Sequence, residues 1–138
     1  MDIDAKGSCL CQSVKFTIKG PVELFYTCHC SRCQKETGSA FAANIFVPLD
    51  SVEWTSGEND VARFELPEAE HFCLNFCTTC GTKVPYLSRN RQFYIVPAGS
   101  LDDDLHIRPA AQIFWIDRAS WLDEAMECPR FDGYWDET

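Results

Sequence analysis

Seven of the nine cysteines fall into three tight groups, and this grouping limits the possible folds more than any other feature. The central group lies in the run Tyr26-Thr-Cys-His-Cys-Ser-Arg-Cys-Gln-Lys-Glu-Thr-Gly38, which holds Cys28, Cys30 and Cys33. Cys9 and Cys11 precede it, and Cys77 and Cys80 follow it. An odd total and such short spacings favour metal ligation over disulfides. A closed zinc site takes four protein ligands and an open one takes three. Seven sulfurs divide into one of each. The expected cofactor is therefore zinc, two ions per chain, one structural and one at an open site.

The spacings have a physical meaning. In Cys9-x-Cys11 and Cys28-x-Cys30 the two thiols share one side of an extended chain and can bite one ion. Cys30-x-x-Cys33 and Cys77-x-x-Cys80 are knuckles that wrap a metal, and Gly81 permits the tight backbone after Cys80. Clustered thiolates suit zinc, and the ligand runs do not match ferredoxin spacings. Joining Cys9, Cys11, Cys77 and Cys80 would close a long loop, where a clip removes most chain entropy. Cys28, Cys30 and Cys33 would then form the open site. Spacing alone also permits the reverse, with Cys77 and Cys80 completing the central loop.

The open site carries an electrostatic expectation. Three thiolates leave zinc with a net charge of −1, which makes it a weak Lewis acid, poor at generating hydroxide. It is better suited to holding a fourth, exchangeable thiolate. That points to carbon–sulfur chemistry, in which a small thiol adds to an aldehyde carbonyl or the adduct falls apart in reverse.

Around the cysteines the pattern is that of short strands. Val14, Phe16 and Ile18 alternate with Lys15, Thr17 and Lys19 across residues 12–19, as a half-buried strand does. Further strands are predicted at 22–27, 40–47, 52–55, 61–66 and 71–76. In 61–66 the residues Ala62, Phe64 and Leu66 share a face. Residues 82–87 and 92–97 read as a hairpin around Ser88, Arg89 and Asn90. A helical turn is predicted at 31–37, and a second one, capped by Ser120 with Asp123, runs through Met126. The segment 106–115 is extended but bent by Pro109. The acidic, aromatic tail 128–138 is expected on the surface. With four Trp, four Tyr and ten Phe in 138 residues, the composition supplies a β-rich core. The fold class is mainly β, one domain over residues 1–138.

Charge and hydropathy narrow the partners. The net charge of −9 leaves no basic stripe to neutralise phosphates, so no nucleic-acid partner is expected. No apolar run approaches membrane-spanning length, and Met-Asp-Ile-Asp-Ala-Lys lacks a signal peptide's apolar segment, so the expected location is cytoplasmic.

Taken together, Gly7-Ser-Cys-Leu-Cys11, Cys28-His-Cys-Ser-Arg-Cys33, Gly38-Ser-Ala-Phe41, Phe76-Cys-Thr-Thr-Cys-Gly81, Ala98-Gly-Ser-Leu-Asp-Asp103 and Trp121 run through nearly the whole chain. In this order they resemble the glutathione-dependent formaldehyde-activating enzymes and the CENP-V-type domains. The resemblance implies a β-tent of stacked antiparallel sheets held by zinc. It implies that Cys9, Cys11, Cys77 and Cys80 are structural ligands and that Cys28, Cys30 and Cys33 hold the catalytic-type zinc. It also implies S-hydroxymethylglutathione formation or a related carbon–sulfur lyase step, with a small thiol such as glutathione and an aldehyde as partners.

Competing readings stand beside this one. The central triad could be a second structural zinc, completed by Cys73 or His29, in a non-catalytic binding module. Cys30 and Cys33 could also serve a redox enzyme. His29 lies between two ligands and is expected to point away from them, as a surface or supporting group. Cys73 reads as a buried small apolar residue, and Cys128 as an unpaired thiol. Arg32 and Lys35 could meet the carboxylates of a glutathione-like thiol. Phe41, Tyr26 and Trp54 could wall a pocket. Asp102, Asp103 and Asp104 form a turn and lack the spaced ligands of a calcium loop. His71 and His106 have no partner readable from the sequence.

Overall fold

The computed structural model describes residues 1–135. In chain order its strands are β1 (Asp2–Ser8), β2 (Lys15–Pro21), β3 (Leu24–Cys28), β4 (Ala42–Val47), β5 (Val52–Ser56), β6 (Val61–Glu65), β7 (Cys73–Cys77), β8 (Lys83–Val84), β9 (Tyr86–Leu87), β10 (Tyr94–Pro97) and β11 (Ala111–Ile113). Helix α1 (Ser31–Thr37) follows β3, and α2 (Leu122–Glu127) follows β11. The class is mainly β, as expected.

The alternation at 14–18 works as its period requires. Strand β2 buries Phe16 and Ile18 and turns Lys15 and Lys19 to solvent. It pairs antiparallel with β1 from Asp2↔Pro21 to Ser8↔Lys15, and with β5 on its other side. Strand β1 carries the same signal, with Ile3, Ala5 and Gly7 inward and Asp2, Asp4 and Lys6 outward. Sequence reasoning passed over it because Ala and Gly are weak hydrophobes. A second sheet of three is ordered β6-β7-β8.

The central sheet, ordered β11-β3-β4-β10-β9, positions the site. Its two faces do different work. Ile45, Val47 and Val96 point into the main core, where they meet Ile3, Val14, Phe16 and Ile18 from the first sheet and Cys77 and Val84 from β7 and β8. Each such side chain contributes about 1.5–3 kcal/mol when fully buried. The residues between them face the other way. Tyr26 lies opposite Asn44, and Phe46 opposite Ile95, on the face that carries Cys28.

Four details differ from expectation. The central sheet is mixed, because β11 joins β3 in parallel, from Ala111↔Tyr26 to Ile113↔Cys28. The expected hairpin around Ser88, Arg89 and Asn90 forms only in its inner part, where Tyr86 and Leu87 pair with Ile95 and Tyr94, and residues 82–84 do not belong to it. Buried Pro85 lacks an N–H for the ladder, and the chain there leaves β8 in one sheet to enter β9 in another. Of the predicted face of β6, Ala62 and Leu66 are half-buried but Phe64 is exposed. Ser120 does not cap α2: Trp121 occupies the N-cap in helical geometry, without a side-chain hydrogen bond. The tail is exposed through Trp135, and residues 136–138 of that predicted surface segment lie outside the described residues.

Gly57 fixes how β5 sits on the loop carrying the first cysteines. Its φ is +73°, and a Cβ there would meet the Ser13 carbonyl. Urea unfolding of Gly57→Ala is expected to show stability lower by about 2–4 kcal/mol, combining the left-handed penalty with overpacking. A loss below about 1 kcal/mol would mean that the Ser13 loop yields without resistance.

Candidate metal centres and cleft

The structure brings the seven cysteines into two clusters. The Sγ atoms of Cys9, Cys11, Cys77 and Cys80 lie within 4.8 Å of one another, and so do those of Cys28, Cys30 and Cys33. Both clusters could hold a metal ion, and zinc fits their all-sulfur donor sets. The reverse pairing left open by spacing does not occur. Cys73 and Cys128 stand outside both clusters.

The four-sulfur cluster joins distant parts of the chain. Cys9 and Cys11 frame the turn between β1 and β2, with their sulfurs 3.7 Å apart. Cys77 ends β7, and its sulfur lies 3.9 Å from that of Cys11. The Val14 N–H donates to Cys9 Sγ at 3.2 Å, and the Thr79 N–H to Cys77 Sγ at 3.4 Å. Gly81, at φ +78°, lets the knuckle close with its N–H on the Cys77 carbonyl. Thr82 stitches the two halves together. Its hydroxyl oxygen accepts the Leu10 N–H at 3.0 Å and lies 3.2 Å from Cys80 Sγ. That hydroxyl is the first cause holding the Cys80 thiol down to about 5, helped by backbone N–H groups.

The three-sulfur cluster is built by a strand end and a helix start. Cys28 closes β3, Cys30 is the N-cap of α1, and Cys33 sits one turn in, where its N–H donates to Cys30 Sγ at 3.4 Å. Cys28 is held down to about 6, chiefly by a hydrogen bond with Cys33; that bond, with burial, pushes the Cys33 thiol up. Among the described residues no fourth His, Cys, Asp or Glu atom completes this group. Cys73 lines the same cleft but stands outside the group, its sulfur 3.4 Å from Arg63 Nη2.

His29 is no surface group. It is fully buried, its ring 5.1 Å from that of Phe41 and 5.0 Å from that of Trp115. Its Nε2 pairs with Gln112 Oε1 at 3.1 Å and with Thr27 Oγ1 at 3.3 Å, while its backbone N–H donates to the Ile113 carbonyl. The residue wedges the cysteine loop against β11, so the side chain between two ligands serves to anchor them.

A cleft of about 520 Å³ opens over the three sulfurs. Tyr26, Phe46 and Ile95 form its floor, the outward face of the central sheet; the segments 70–73 and 88–90 cover it. Arg89 fastens that cover. Its Nη1 donates to the carbonyls of Leu66, Ala69 and Phe72 at 2.8, 2.7 and 3.3 Å. Burial pushes the Tyr26 phenol up to about 12 and raises Tyr86 and Glu36 as well. The cleft thus offers neutral phenolic donors beside the sulfurs. Arg32 reaches its rim, while Lys35 does not line it. Phe41 and Trp54 line two other hollows, of about 150 and 310 Å³. His106 faces Asp104 at 3.6 Å, and Asp102 accepts from Ser8 Oγ, so the aspartate run is a tied turn.

Sequence reasoning named Tyr26 and Arg32 but missed Phe46, Phe72, Phe93, Tyr86 and Arg89. Alternation along β4 carried a signal for Phe46. Nothing local marked Arg89, whose role depends on carbonyls about twenty residues away.

Replacing Arg89 by Met is expected to lower stability by about 1–3 kcal/mol. Amide exchange in residues 66–73 should accelerate, as followed by mass spectrometry. Unchanged exchange there would show that the cover holds without the arginine.

The comparisons with known proteins agree with this architecture. No curated protein matches the chain. A crystal structure of a Rhodobacter sphaeroides protein, a structural-genomics target, is similar in fold, with a TM-score of 0.54 and 23% identity. That match covers 78% of this chain and 98% of the other. The model of the family described as glutathione-dependent formaldehyde-activating enzyme matches residues 4–117. The chain belongs to the glutathione-dependent formaldehyde-activating enzyme family.

Proposed function

We propose that the protein is a zinc-dependent carbon–sulfur lyase acting on a thiol–aldehyde adduct, in the manner of S-hydroxymethylglutathione synthesis. The observation that carries this is the incomplete donor set of Cys28, Cys30 and Cys33 beneath an open cleft. In this reading Cys9, Cys11, Cys77 and Cys80 hold a structural zinc. Cys28, Cys30 and Cys33 hold a second one, which supplies a position where an incoming thiol is kept as an exchangeable thiolate.

The reaction forms one carbon–sulfur bond and breaks the thiol S–H and the carbonyl π bond, and the proton the thiol gives up ends on the former carbonyl oxygen; the reverse direction breaks the carbon–sulfur bond and returns that proton to sulfur. The chain's own groups serve this in stated ways. Tyr26 and Tyr86 keep their phenolic protons and can donate to the oxygen. Arg32 at the rim attracts the carboxylates of a glutathione-like thiol. Arg89, pinned to the carbonyls of Leu66 and Ala69, holds the 66–73 segment in place beside the sulfurs.

A reducing, cytoplasmic setting fits the nine free cysteines. Among the described residues no helix is long and apolar enough to cross a membrane. The non-catalytic module would need a fourth protein ligand on the central ion, and neither Cys73 nor His29 is placed to be one, which weighs against it.

Metal analysis of variants tests the proposal. The purified protein should carry two zinc ions per chain. Cys30→Ser should lose one and keep a cooperative melt, whereas Cys77→Ser should lose its fold along with its metal, since only the closed cluster ties distant strands. Identical behaviour of the two variants would contradict a division into structural and reactive sites. Wild-type turnover of S-hydroxymethylglutathione no faster than the spontaneous reaction would remove the lyase for that adduct.

A further inference from the structure

The floor of the cleft is more apolar than the proposed chemistry requires. Tyr26 lies two residues before Cys28, on the same face of β3. Its ring is 5.2 Å from that of Phe46, and Phe46 is 5.9 Å from Phe93 in an edge-to-face contact. The three rings form a ladder that starts beside the sulfurs and runs across β4 to the start of β10. All three line the cleft and are only half-buried. On the opposite face of the same strands, Ile45, Val47 and Val96 are buried to 1%, 0% and 0% exposure. The ladder is therefore not surplus core. It is an apolar surface left open inside a concavity whose polar lining comes from other elements, with Arg32 and Arg89 among the carboxylates of Glu36 and Glu70.

Neither expected partner covers such a surface. A glutathione-like thiol is polar and doubly carboxylated, and its charges belong with the arginines. Formaldehyde has no side chain to place on aromatic rings. Building on the lyase reading above, we infer that the adduct this protein takes carries a flat, apolar group next to the reacting carbon–sulfur bond, which lies along the Tyr26–Phe46–Phe93 ladder. The group can enter with the carbonyl compound, as an aryl aldehyde, or with the thiol, as an aryl-bearing thiol. In both cases the sulfur sits over Cys28, Cys30 and Cys33, and the ring lies on Phe46. Aromatic contacts of this kind add to the burial of the ring itself.

The test uses the zinc-loaded full chain and two unreactive thioethers, S-benzylglutathione and S-methylglutathione, which share one polar portion. Calorimetry should show the benzyl compound binding about tenfold tighter or more. Phe46→Ala and Phe93→Ala should erase most of that preference, weakening the benzyl compound by a much larger factor than the methyl compound. Phe46→Leu keeps apolar volume without a ring; it should also lose preference, and it covers the case in which the alanine variant fails to fold. Equal affinities in the wild type, or a preference untouched by these substitutions, would overturn the inference.

Turnover then separates the sources. A higher kcat/KM for benzaldehyde with glutathione than for formaldehyde with glutathione assigns the ladder to the carbonyl side. A higher value for formaldehyde with benzyl mercaptan assigns it to the thiol side. Binding preference with no turnover of any adduct would sink the lyase reading and leave the aromatic subsite standing. Turnover of formaldehyde with glutathione, without any benzyl preference, would do the reverse.

Discussion

Four sulfurs that arrive from positions 9, 11, 77 and 80 meet within 4.8 Å, and the sheets are arranged around that meeting. Cys9 and Cys77 are wholly buried and belong to the main apolar core, so the cluster is part of the packing and not an appendage. Cys11 and Cys80 reach the solvent-facing side of the cluster, and thiolates this close to one another would repel. A cation held there would turn that repulsion into a tie between the β1–β2 turn and the β7 knuckle. Direct hydrogen bonds reinforce the same joint, through Leu10, Thr82 and Ser13. The loop closed in this way contains β3 and β4, which carry Tyr26 and Phe46 of the cleft floor, and the helix that carries Cys33.

The second constraint is the period of two. A central strand such as β4 must choose an inside for every residue, and here both sides are used. Ile45 and Val47 pack the core, while Asn44 and Phe46 serve the cleft. The backbone that stabilises the fold therefore also fixes the distance between the aromatic floor and the cysteines. Because β3 ends at Cys28 and α1 begins at Ser31, the ligand loop has almost no slack. His29, held between Phe41 and Trp115 and tied to Gln112, takes up what remains. Rigid support of this kind is what a reactive metal site needs from its surroundings.

Much of this could be read in the sequence, and the reasons are specific. The grouping of the cysteines was visible because their spacing is a short-range property of the chain. Strand β2 was visible because Lys and Phe alternate without ambiguity. Strand β1 was not noticed, since Ala5 and Gly7 mark an inward face too weakly. The hairpin of β9 and β10 was legible, but its outer part was not: the residues around Pro85 favour strand, and only the missing N–H signals that β8 belongs to another sheet. Local geometry turned His29 away from the cysteines, as a surface or supporting group, and could not choose between the two; its burial depends on β11, which returns from more than eighty residues away. Arg89 looked like a turn residue, yet it holds the cleft cover through carbonyls that no pattern encodes.

The account depends on a difference between two metal centres, one saturated by the chain and one left short by a ligand. X-ray absorption at the zinc edge, recorded on the fully loaded protein before and after a small thiol is added, reads that difference directly. The account predicts that one light scatterer is present at first and is replaced by an additional sulfur when the thiol binds. A spectrum with only sulfur neighbours from the start, or one that does not change on adding thiol, would contradict it.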